Sequence, residues 1–567
     1  MNNLNNQRDK VVLPGNLSVE CFEQVLIHFK NDPATLFQCL FVNRLWCRLS
    51  IPLLWSHPFE YHGFGELAAN IVQIYIACLP EDERQILIDE GLELPESISP
   101  LFDYPKYLQS FESAHFTGAI MSWLSTRVKS WSSYLEGRDL DIYPYTNFVQ
   151  TILGNLLFSR SKGIRDLDIV HFDEDDDSLI ADIISFDEAN RALSKLEKFQ
   201  FDYSGWSEQE DKSSEIISNL FDFMTNCSRN IQHIYINITN ISEQDLKLQQ
   251  IAKSISKLIQ TQHNLRDLVM LEFWNPTASA TIFKALPVQA HSLTYLRLHD
   301  LYQYQFRLLL PILPILRKLE TLQIISIHPG DEEPIKNVEL PEPIHLKHLH
   351  YQEDKYRVDV SALIGAILEM ANVNLETLSC VHVTSELVEI IGQKCPNLTH
   401  LSLSLATPEI PVSVSGLLTS TLYLRHFSIY INSAEFPFAT TENLHQFAKS
   451  FPKSLLYFGF YMSITPYILD FFLKACPASF QILAVYRPEI IDENLLKVLI
   501  NYANERKSLK KLLLEDFYSY EGRVITAALK EAKTVIPIIQ HTISCDEPYS
   551  GPVMDNPRDL DDVWDKV

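Results

Sequence analysis

A short apolar phrase recurs along most of the chain and is the clearest pattern in the sequence. From about residue 164, Leu-x-x-Leu-x-Leu or a close relative occurs thirteen times, with start-to-start spacings of 23 to 35 residues. The last two apolar positions alternate with polar ones, as in a strand with one buried face. Between copies, stretches such as Gln249 to Ile259 and Val360 to Met370 show helical spacing. The copies are Ile164 to Ile169, Leu196 to Phe201, Ile231 to Ile236, Leu265 to Met270, Leu293 to Leu298, Leu319 to Ile324, Leu346 to Tyr351, Leu375 to Cys380, Leu398 to Leu403, Leu424 to Ile429, Leu455 to Phe460, Phe480 to Val485 and Leu509 to Leu514.

Repeats of this length, each made of a strand and a helix, are typical of leucine-rich repeats. No single repeat can bury its own apolar face, so neighbours stack and share a continuous core. The sequence therefore predicts an α/β leucine-rich-repeat solenoid over residues 161–543, with about 13 irregular repeats and a parallel sheet on the concave side. A regular asparagine ladder is absent from the phrases, so the sequence does not predict the curvature.

A different apolar pattern precedes the array. Helical spacing runs from Leu17 to Phe29, and Asp32-Pro33 then predicts a second helix start, because Asp caps free N–H groups and Pro fits the first turn. We expect that helix to run from Ala34 to Leu49, and a third short element from Ile51 to Trp55. A unit of fewer than about 50 residues buries too little surface to be comfortably stable alone. A partner or the following domain should therefore cover part of it.

Several features of this N-terminal segment match one known pattern: Leu13-Pro14, the helix through Phe22 and Leu26, the run Leu40 to Trp46, and Leu54-Trp55. With these features the segment resembles the F-box family, and it is most similar to the large fungal set of F-box proteins. It departs from the family at Gly15-Asn16, where a stronger helix former is usual, and this departure would loosen the first turn. The later phrase Lys394 to Leu401 also resembles the cysteine-containing repeat of F-box leucine-rich proteins.

The resemblance implies that the segment binds the Skp adaptor of an SCF-type ubiquitin ligase and, through it, a cullin. It also implies which positions should form the contact face or support it. These positions are Leu13, Pro14, Leu17, Phe22, Leu26, Leu40, Val42 and Trp46. The alternative is that the segment only provides a helical cap for the repeats that follow.

The remaining divisions of the chain follow from its composition. Residues 1–12 are expected to be disordered, 13–58 to form the F-box, and 59–160 to form a helical connector or cap, with a helical pattern from Phe64 to Leu79. Residues 544–567 form an acidic tail, for which we expect disorder or loose packing. The acidic run Asp173 to Asp177 is expected to be a solvated loop between repeats, with docking of a basic partner as the alternative.

Histidine and tyrosine are frequent at the predicted concave positions. If the phrases are strands, the residue before the second leucine and the residues flanking the third point into the hollow. Amphipathic rings provide contact area with little loss of entropy, so we expect this surface to recognise a protein substrate. The alternative is that the rings only stack along the sheet for stability. The candidates are Tyr295, Arg297, His299, His348, His350, His400, His426, Tyr430, Tyr457 and Tyr461.

Charge and cysteine content limit the partners and the compartment. The formal net charge is -25, so the chain should repel phosphate backbones, and nucleic acid is not an expected partner. No run of 18 apolar residues could span a membrane, and Met1 to Lys10 lack the apolar core of a signal peptide. The nine cysteines include no Cys-x-x-Cys pair, which favours reduced thiols in the cytoplasm or nucleus.

The sequence contains no recognised catalytic motif. It has no Gly-x-Ser-x-Gly, no His-Glu-x-x-His and no phosphate-binding glycine loop, with only 16 glycines in all. His345, His348 and His350 lack a nearby Cys or carboxylate to complete a metal site, so no metal or other cofactor is expected. The sequence therefore indicates a non-catalytic substrate-recognition subunit of a ubiquitin ligase. The alternatives are a repeat scaffold without a ligase role and an enzyme confined to residues 60–160.

Overall fold

A computed structural model describes most of the chain, which divides into two compact units. Unit 1 comprises Met1–Ser242 and Thr261–His263, and unit 2 comprises Glu243–Gln260 and Asn264–Val567. The described residues are 18–60, 64–94, 99–125, 143–171, 183–203, 210–239, 245–271, 276–328, 342–352, 360–405, 411–431, 440–461, 464–486, 493–516 and 525–543. Leu13, Pro14 and Leu17, the run Asp173 to Asp177 and the acidic tail lie outside these ranges.

Unit 1 begins with helices and continues into a parallel sheet. The described helices are α1 (Val19–Ile27), α2 (Pro33–Cys39), α3 (Arg44–Leu54), α4 (Glu66–Ala77), α5 (Glu81–Asp89), α6 (Ser113–Ser125), α7 (Tyr143–Arg160), α8 (Ala189–Ala192) and α9 (Glu210–Cys227). The described strands are β1 (Ser110–Glu112), β2 (Asp166–His171), β3 (Lys198–Tyr203) and β4 (His233–Ile238). Short 3-10 turns span Tyr104–Tyr107 and Leu193–Lys195.

Residues 18–60, called the hook below, contain α1 to α3. The predicted start of the second helix is confirmed. Asp32 is the N-cap of α2, and its carboxylate accepts a hydrogen bond from the backbone N–H of Thr35 at 3.0 Å. Pro33 is the first helical residue, where its missing N–H leaves no bond unmade.

The expected continuous helix from Ala34 to Leu49 is wrong. Asn43 has an extended backbone and caps a new helix, so α2 ends before it and α3 begins after it. The Asn43 side-chain oxygen accepts hydrogen bonds from the N–H groups of Leu45 at 2.9 Å and Trp46 at 3.0 Å. The expected third element is not separate, because α3 continues through Pro52. The hook therefore has three helices, divided at other residues than the apolar spacing suggests.

The strands of unit 1 pair in sequence order, each parallel to the next. Their register aligns Phe111, Leu167, Phe199 and Ile234, and each of these side chains is at most 1% exposed. β2, β3 and β4 coincide with the first three predicted phrases. β1 is a strand that the phrase does not predict, and it lies within the range expected to be the helical connector. In that range α4 confirms the helical pattern predicted after Phe64.

In the described part of unit 2, strands and helices alternate, except that no described helix lies between the strands at residues 321–328 and 348–352. Its described helices are α10 (Asp245–Thr261, whose last residue belongs to unit 1), α11 (Pro276–Phe283), α12 (Gln303–Leu309), α13 (Ser361–Ala371), α14 (Ser385–Lys394), α15 (Pro411–Ser420), α16 (Thr441–Lys449), α17 (Pro466–Ala475), α18 (Glu493–Arg506) and α19 (Ile525–Val535). Its described strands are β5 (Asp267–Leu271), β6 (Tyr295–Tyr302), β7 (Thr321–His328), β8 (His348–Gln352), β9 (Thr377–Val383), β10 (His400–Leu405), β11 (His426–Ile431), β12 (Tyr457–Tyr461), β13 (Ile482–Tyr486), β14 (Lys511–Asp516) and β15 (Ile538–Ile543).

The strands of unit 2 also pair in sequence order, all parallel. The last ten predicted phrases coincide with β5 to β14, and β15 extends the sheet by one strand that the phrase does not predict. α10 and α13 cover the two stretches for which the sequence predicts helices. The predicted α/β architecture, with a parallel sheet built from repeats, is therefore confirmed.

One face of each strand in unit 2 forms the core. In β10, Leu401 and Leu403 are 2% and 1% exposed, whereas the alternate residues His400 and Ser402 are half-buried. The half-buried residues of the unit 2 strands define what we call the open face. The buried face includes rings in edge contact, such as Phe451 on Phe458 at 4.8 Å between centroids.

Candidate protein-binding surfaces

The hook has a small core of its own. Leu26, Leu36 and Cys39 are 1%, 1% and 6% exposed, and the Trp46 side chain packs against them. The Phe22 ring meets the Trp46 ring edge-on, with centroids 5.9 Å apart. The three short helices are therefore held together by a few large side chains, as expected for a module too small to bury more.

The predicted adaptor-binding residues take different positions in the hook. Leu26 is buried in its core and can only support a contact face. Phe22, Leu40 and Trp46 are partly buried, and Val42 is 57% exposed. Val42 is thus the described member of the set with an open apolar surface.

Exposed apolar side chains cluster on the second helix of the hook and just after it. Phe37 is 50% exposed and Phe41 is 72% exposed, and their rings lie edge to face with centroids 5.3 Å apart. With Val42 these residues form what we call the Phe41 patch. On α1, Val25 and Ile27 are also 49% and 47% exposed. Phe37 and Phe41 follow the apolar spacing of the sequence, and the structure leaves both side chains exposed to solvent.

The end of the hook is attached to the sheet of unit 1. The Ser56 carbonyl accepts two hydrogen bonds, from the N–H groups of Gln109 and Ser110, both at 2.9 Å. His57 Nε2 lies 3.5 Å from a carboxylate oxygen of Asp166 on β2. Backbone and side-chain contacts therefore fix the hook to the first two strands.

A polar cavity of about 230 Å³ lies at this attachment. Burial alone would raise the pKa of Asp166, but the hydrogen bond and charge of His57 outweigh it and the pKa is lowered. Burial, reinforced by Glu112, raises the pKa of Asp168 to about 6. The cavity is lined by Lys30, Asn31, His57, Glu60, Ser110, Glu112, Asp166, Leu167, Asp168 and Lys198.

The ten predicted concave residues of unit 2 lie in three rows that cross the strands, and nine of them belong to the open face. Row one holds the residue before the second leucine of each phrase. Row two holds the residue before the third leucine, and row three holds the residue after it. Row one contains Tyr295, His348, His400, His426 and Tyr457. Row two contains Arg297 and His350, and row three contains His299, Tyr430 and Tyr461. Nine of the ten are half-buried, and His350 is only 6% exposed.

The rings of row one are stacked on neighbouring strands. His400 and His426 lie nearly parallel with centroids 4.0 Å apart, and Tyr457 follows 6.0 Å from His426. Burial lowers the pKa of His426 to about 3, and the charges of His400 and Arg425 act in the same direction. His426 is therefore uncharged at neutral pH and can be covered by a partner without the cost of burying an ion.

Beside these rings, on β10 to β12, row two consists of the small residues Ser402, Ser428 and Gly459. Gly459 follows Ser428 in register, and a Cβ at Gly459 would lie 3.1 Å from the Tyr457 hydroxyl and 3.2 Å from the Tyr461 ring. Glycine therefore allows two tyrosines to lie across its strand. His350 belongs to the same row, and burial lowers its pKa to about 4.

A buried polar cluster lies at the ends of β6 and β7. Asp300 accepts hydrogen bonds from His299 Nδ1 at 2.7 Å and His328 Nε2 at 3.1 Å. Asp300 and Ser326 have φ values of 55° and 56°, a left-handed conformation that costs energy for residues other than glycine. The register passes over this pair, so both strands bend at the same point. His299 is thereby held in place on the open face.

Two functional classes receive no structural support within the described residues. No described helix is both long and apolar enough to cross a membrane. Across the same ranges, no three His, Cys, Asp or Glu side chains are placed to hold a metal ion. Burial raises the pKa of the Cys395 and Cys476 thiols to about 12, so neither is a nucleophile at neutral pH.

Comparison with protein-family models and with curated proteins finds no match. Among solved structures, the chain is similar to a chain in the crystal structure of the Rad7 and Elc1 complex in yeast, at 12% sequence identity and a TM-score of 0.35. The match covers 69% of this chain and 88% of that chain. A likeness this distant assigns no function, so the function is argued from the hook and the open face.

Proposed function

We propose that the protein is the substrate-recognition subunit of an SCF-type ubiquitin ligase. The hook would bind a Skp-type adaptor, and through it a cullin, while the open face of unit 2 would bind the protein substrate. The observation that carries the proposal is the Phe41 patch, an apolar surface exposed on a module with the F-box residue pattern. The chain itself would be non-catalytic, with ubiquitin transfer performed by other subunits.

The Phe41 patch is better explained by a partner than by folding. Fully burying a large apolar side chain is worth roughly 1.5–3 kcal/mol. Phe37, Phe41 and Val42 are each at least half exposed and contribute little of this to the stability of the free chain. Scattered apolar residues are normal on a surface, but adjoining aromatic rings on a small module are typical of an interface.

The open face suits protein recognition because its tyrosine rings and the neutral ring of His426 offer contact area without ionic desolvation. Burial lowers the pKa of His426 to about 3, which keeps it neutral. Tyr430 and Tyr461 add a second pair of rings with centroids 6.3 Å apart. Holding a substrate beside the conjugating enzyme raises its effective concentration, which is how a subunit without a nucleophile can promote transfer.

The adaptor half is tested by changing an exposed side chain. Purified full chain carrying Phe41→Ser should bind a purified Skp-type adaptor at least about 30-fold more weakly than wild type, as expected for the loss of about 2 kcal/mol at an aromatic interface residue. The matched control is Leu101→Ser, which removes an apolar side chain that is 90% exposed elsewhere in unit 1. Equal binding by Phe41→Ser and wild type, or no binding by wild type, would overturn the proposal.

A further inference from the structure

The cavity at the base of the hook contains more negative than positive charge. On the hook side it meets Lys30, His57 and Glu60. From the sheet it meets Glu112 of β1, Asp166 and Asp168 of β2 and Lys198 of β3, with Asp202 of β3 and His115 of α6 acting on Asp168 through space. Four carboxyl groups therefore line the cavity with two lysines and a histidine.

Two of the four carboxyl groups have a hydrogen-bond or ion-pair partner in the cavity or beside it. Asp166 is paired with His57, and the Glu112 carboxylate accepts a hydrogen bond from His115 Nδ1 at 2.6 Å. Asp168 differs from them. Its Oδ1 atom is buried and has no hydrogen-bond partner among the described residues. An ionised carboxylate with a buried, unpaired oxygen pays for lost hydration, and protonation removes that penalty.

We propose that the attachment of the hook to unit 1 is a proton-responsive joint, in which Asp168 sets how firmly the hook is held. When Asp168 is ionised, the lost hydration of its carboxylate in the cavity beneath the hook weakens the closed joint. When Asp168 is protonated, this penalty vanishes and the joint tightens. The joint would act in this way whichever protein the hook binds.

The direction and the pH range of this effect follow from the pKa of Asp168 in the closed joint and in the opened joint. The closed joint raises the pKa of Asp168 from 3.8 to about 6, whereas an opened joint exposes the carboxyl to water and returns it toward 3.8. Between those values the closed form binds a proton that the open form does not, so the joint weakens as pH rises from about 4 to about 6. Above about pH 6 the weakening is complete.

The neighbouring titratable groups do not cancel this pH dependence of the joint. The pKa of Asp166 is lowered below 3.8, so its effect is confined to more acidic solution. In that more acidic solution the joint weakens as the pH falls, because protonation of Asp166 removes the contribution of its carboxylate.

The amides of Gln109 and Ser110 report the state of the joint, because both donate to the Ser56 carbonyl. Hydrogen exchange of the full chain, corrected for the intrinsic pH dependence of exchange, gives the protection of these amides at pH 5.0 and pH 7.5. For wild type we expect about tenfold more protection at pH 5.0 than at pH 7.5. In Asp168→Asn the ratio should fall to about one, and protection at pH 7.5 should rise by at least about tenfold.

Two further variants keep the experiment decisive. Lys198→Gln removes the cation that lowers the pKa of Asp168, so it should enlarge the pH ratio even if Asp168→Asn fails to fold. Glu90→Gln, an exposed acid in the same unit, should behave as wild type. The proposal is overturned if the wild-type ratio is near one, or if Asp168→Asn or Lys198→Gln leaves that ratio unchanged. No adaptor is present in the assay, so the outcome is independent of the proposed ligase function.

Discussion

His350 provides the sharpest quantitative test of the open face. Its side chain is 6% exposed on β8, and its Nε2 atom is buried without a hydrogen-bond partner in the described part of the chain. Burial lowers its pKa from 6.5 to about 4 in the folded protein, and the neighbouring His348 adds to the shift. His350→Gln removes the titration while keeping a polar side chain of similar length.

The sign and the magnitude follow from proton linkage. Between pH 6.5 and about pH 4 the unfolded chain binds a proton at this position that the folded chain rejects, so folding stability falls as pH falls. At pH 5.5 the pH is one unit below the pKa of this histidine in the unfolded chain, so its protonation there lowers the free energy of unfolding by about 1.4 kcal/mol. At pH 7.5 the same loss is close to zero. Wild type should lose this amount relative to His350→Gln.

The assay is urea unfolding followed by circular dichroism at both pH values. The free energy of unfolding of His350→Gln minus that of wild type should rise by about 1.4 kcal/mol on going from pH 7.5 to pH 5.5. Other titrating groups cancel in this difference because both proteins contain them. His291→Gln, at an exposed histidine of the same unit, should show no such change. A difference that stays constant or falls in acid would refute the burial of neutral His350.

Two other predictions follow from local geometry. Asn43→Ala removes the cap of α3 and should destabilise the hook by about 1 kcal/mol, which hydrogen exchange would detect as faster exchange in residues 44–49. Asn43→Asp keeps a capping oxygen and should not speed up this exchange. Equal exchange in both variants would contradict the cap. Gly459→Ala places a Cβ 3.0 Å from Ser428 Oγ and 3.1 Å from Tyr457 Oη and should cost about 1 kcal/mol of unfolding free energy. Tyr457→Phe should recover part of that loss, and no recovery would show that the tyrosine does not cover Gly459.

The repeat architecture was largely predictable because it rests on local patterns. Alternation of apolar and polar residues identifies a strand, and its recurrence with helical stretches between copies identifies a stacked array. The two strands that were missed lack the third apolar residue of the phrase. Ser113 stands at that position after β1, and His541 stands there in β15. Both strands are nevertheless formed, because each pairs in register with the strand beside it, β1 with β2 and β15 with β14.

The hook was only partly predictable, because an apolar spacing does not say which apolar residues meet. Asp32-Pro33 is a local helix start, and it was found correctly. The spacing continues through Asn43 without interruption, so only the cap geometry reveals that the helix ends there. The exposure of Phe37 and Phe41 depends on which side chains meet in the folded hook, and the spacing does not show this.

Side-chain contacts between neighbouring repeats could not be predicted for the same reason. Asp300 bridges His299 and His328, and the last of these lies 28 residues further along the chain. That bridge depends on the pairing of β6 with β7 and on the left-handed conformation of Asp300 and Ser326. The low pKa of His426 likewise depends on its burial and on the charge of His400 on the neighbouring strand.

The central claim is that the hook is a docking module, and calorimetry tests it most directly. Titration of purified full chain with a purified Skp-type adaptor should show one-to-one binding. The heat-capacity change should be negative, because binding buries the apolar surface of the Phe41 patch. Phe41→Ser should weaken binding and make that heat-capacity change less negative, while Leu101→Ser should leave both as in wild type. The absence of binding by wild type, or an unchanged heat-capacity signature in Phe41→Ser, would contradict the claim.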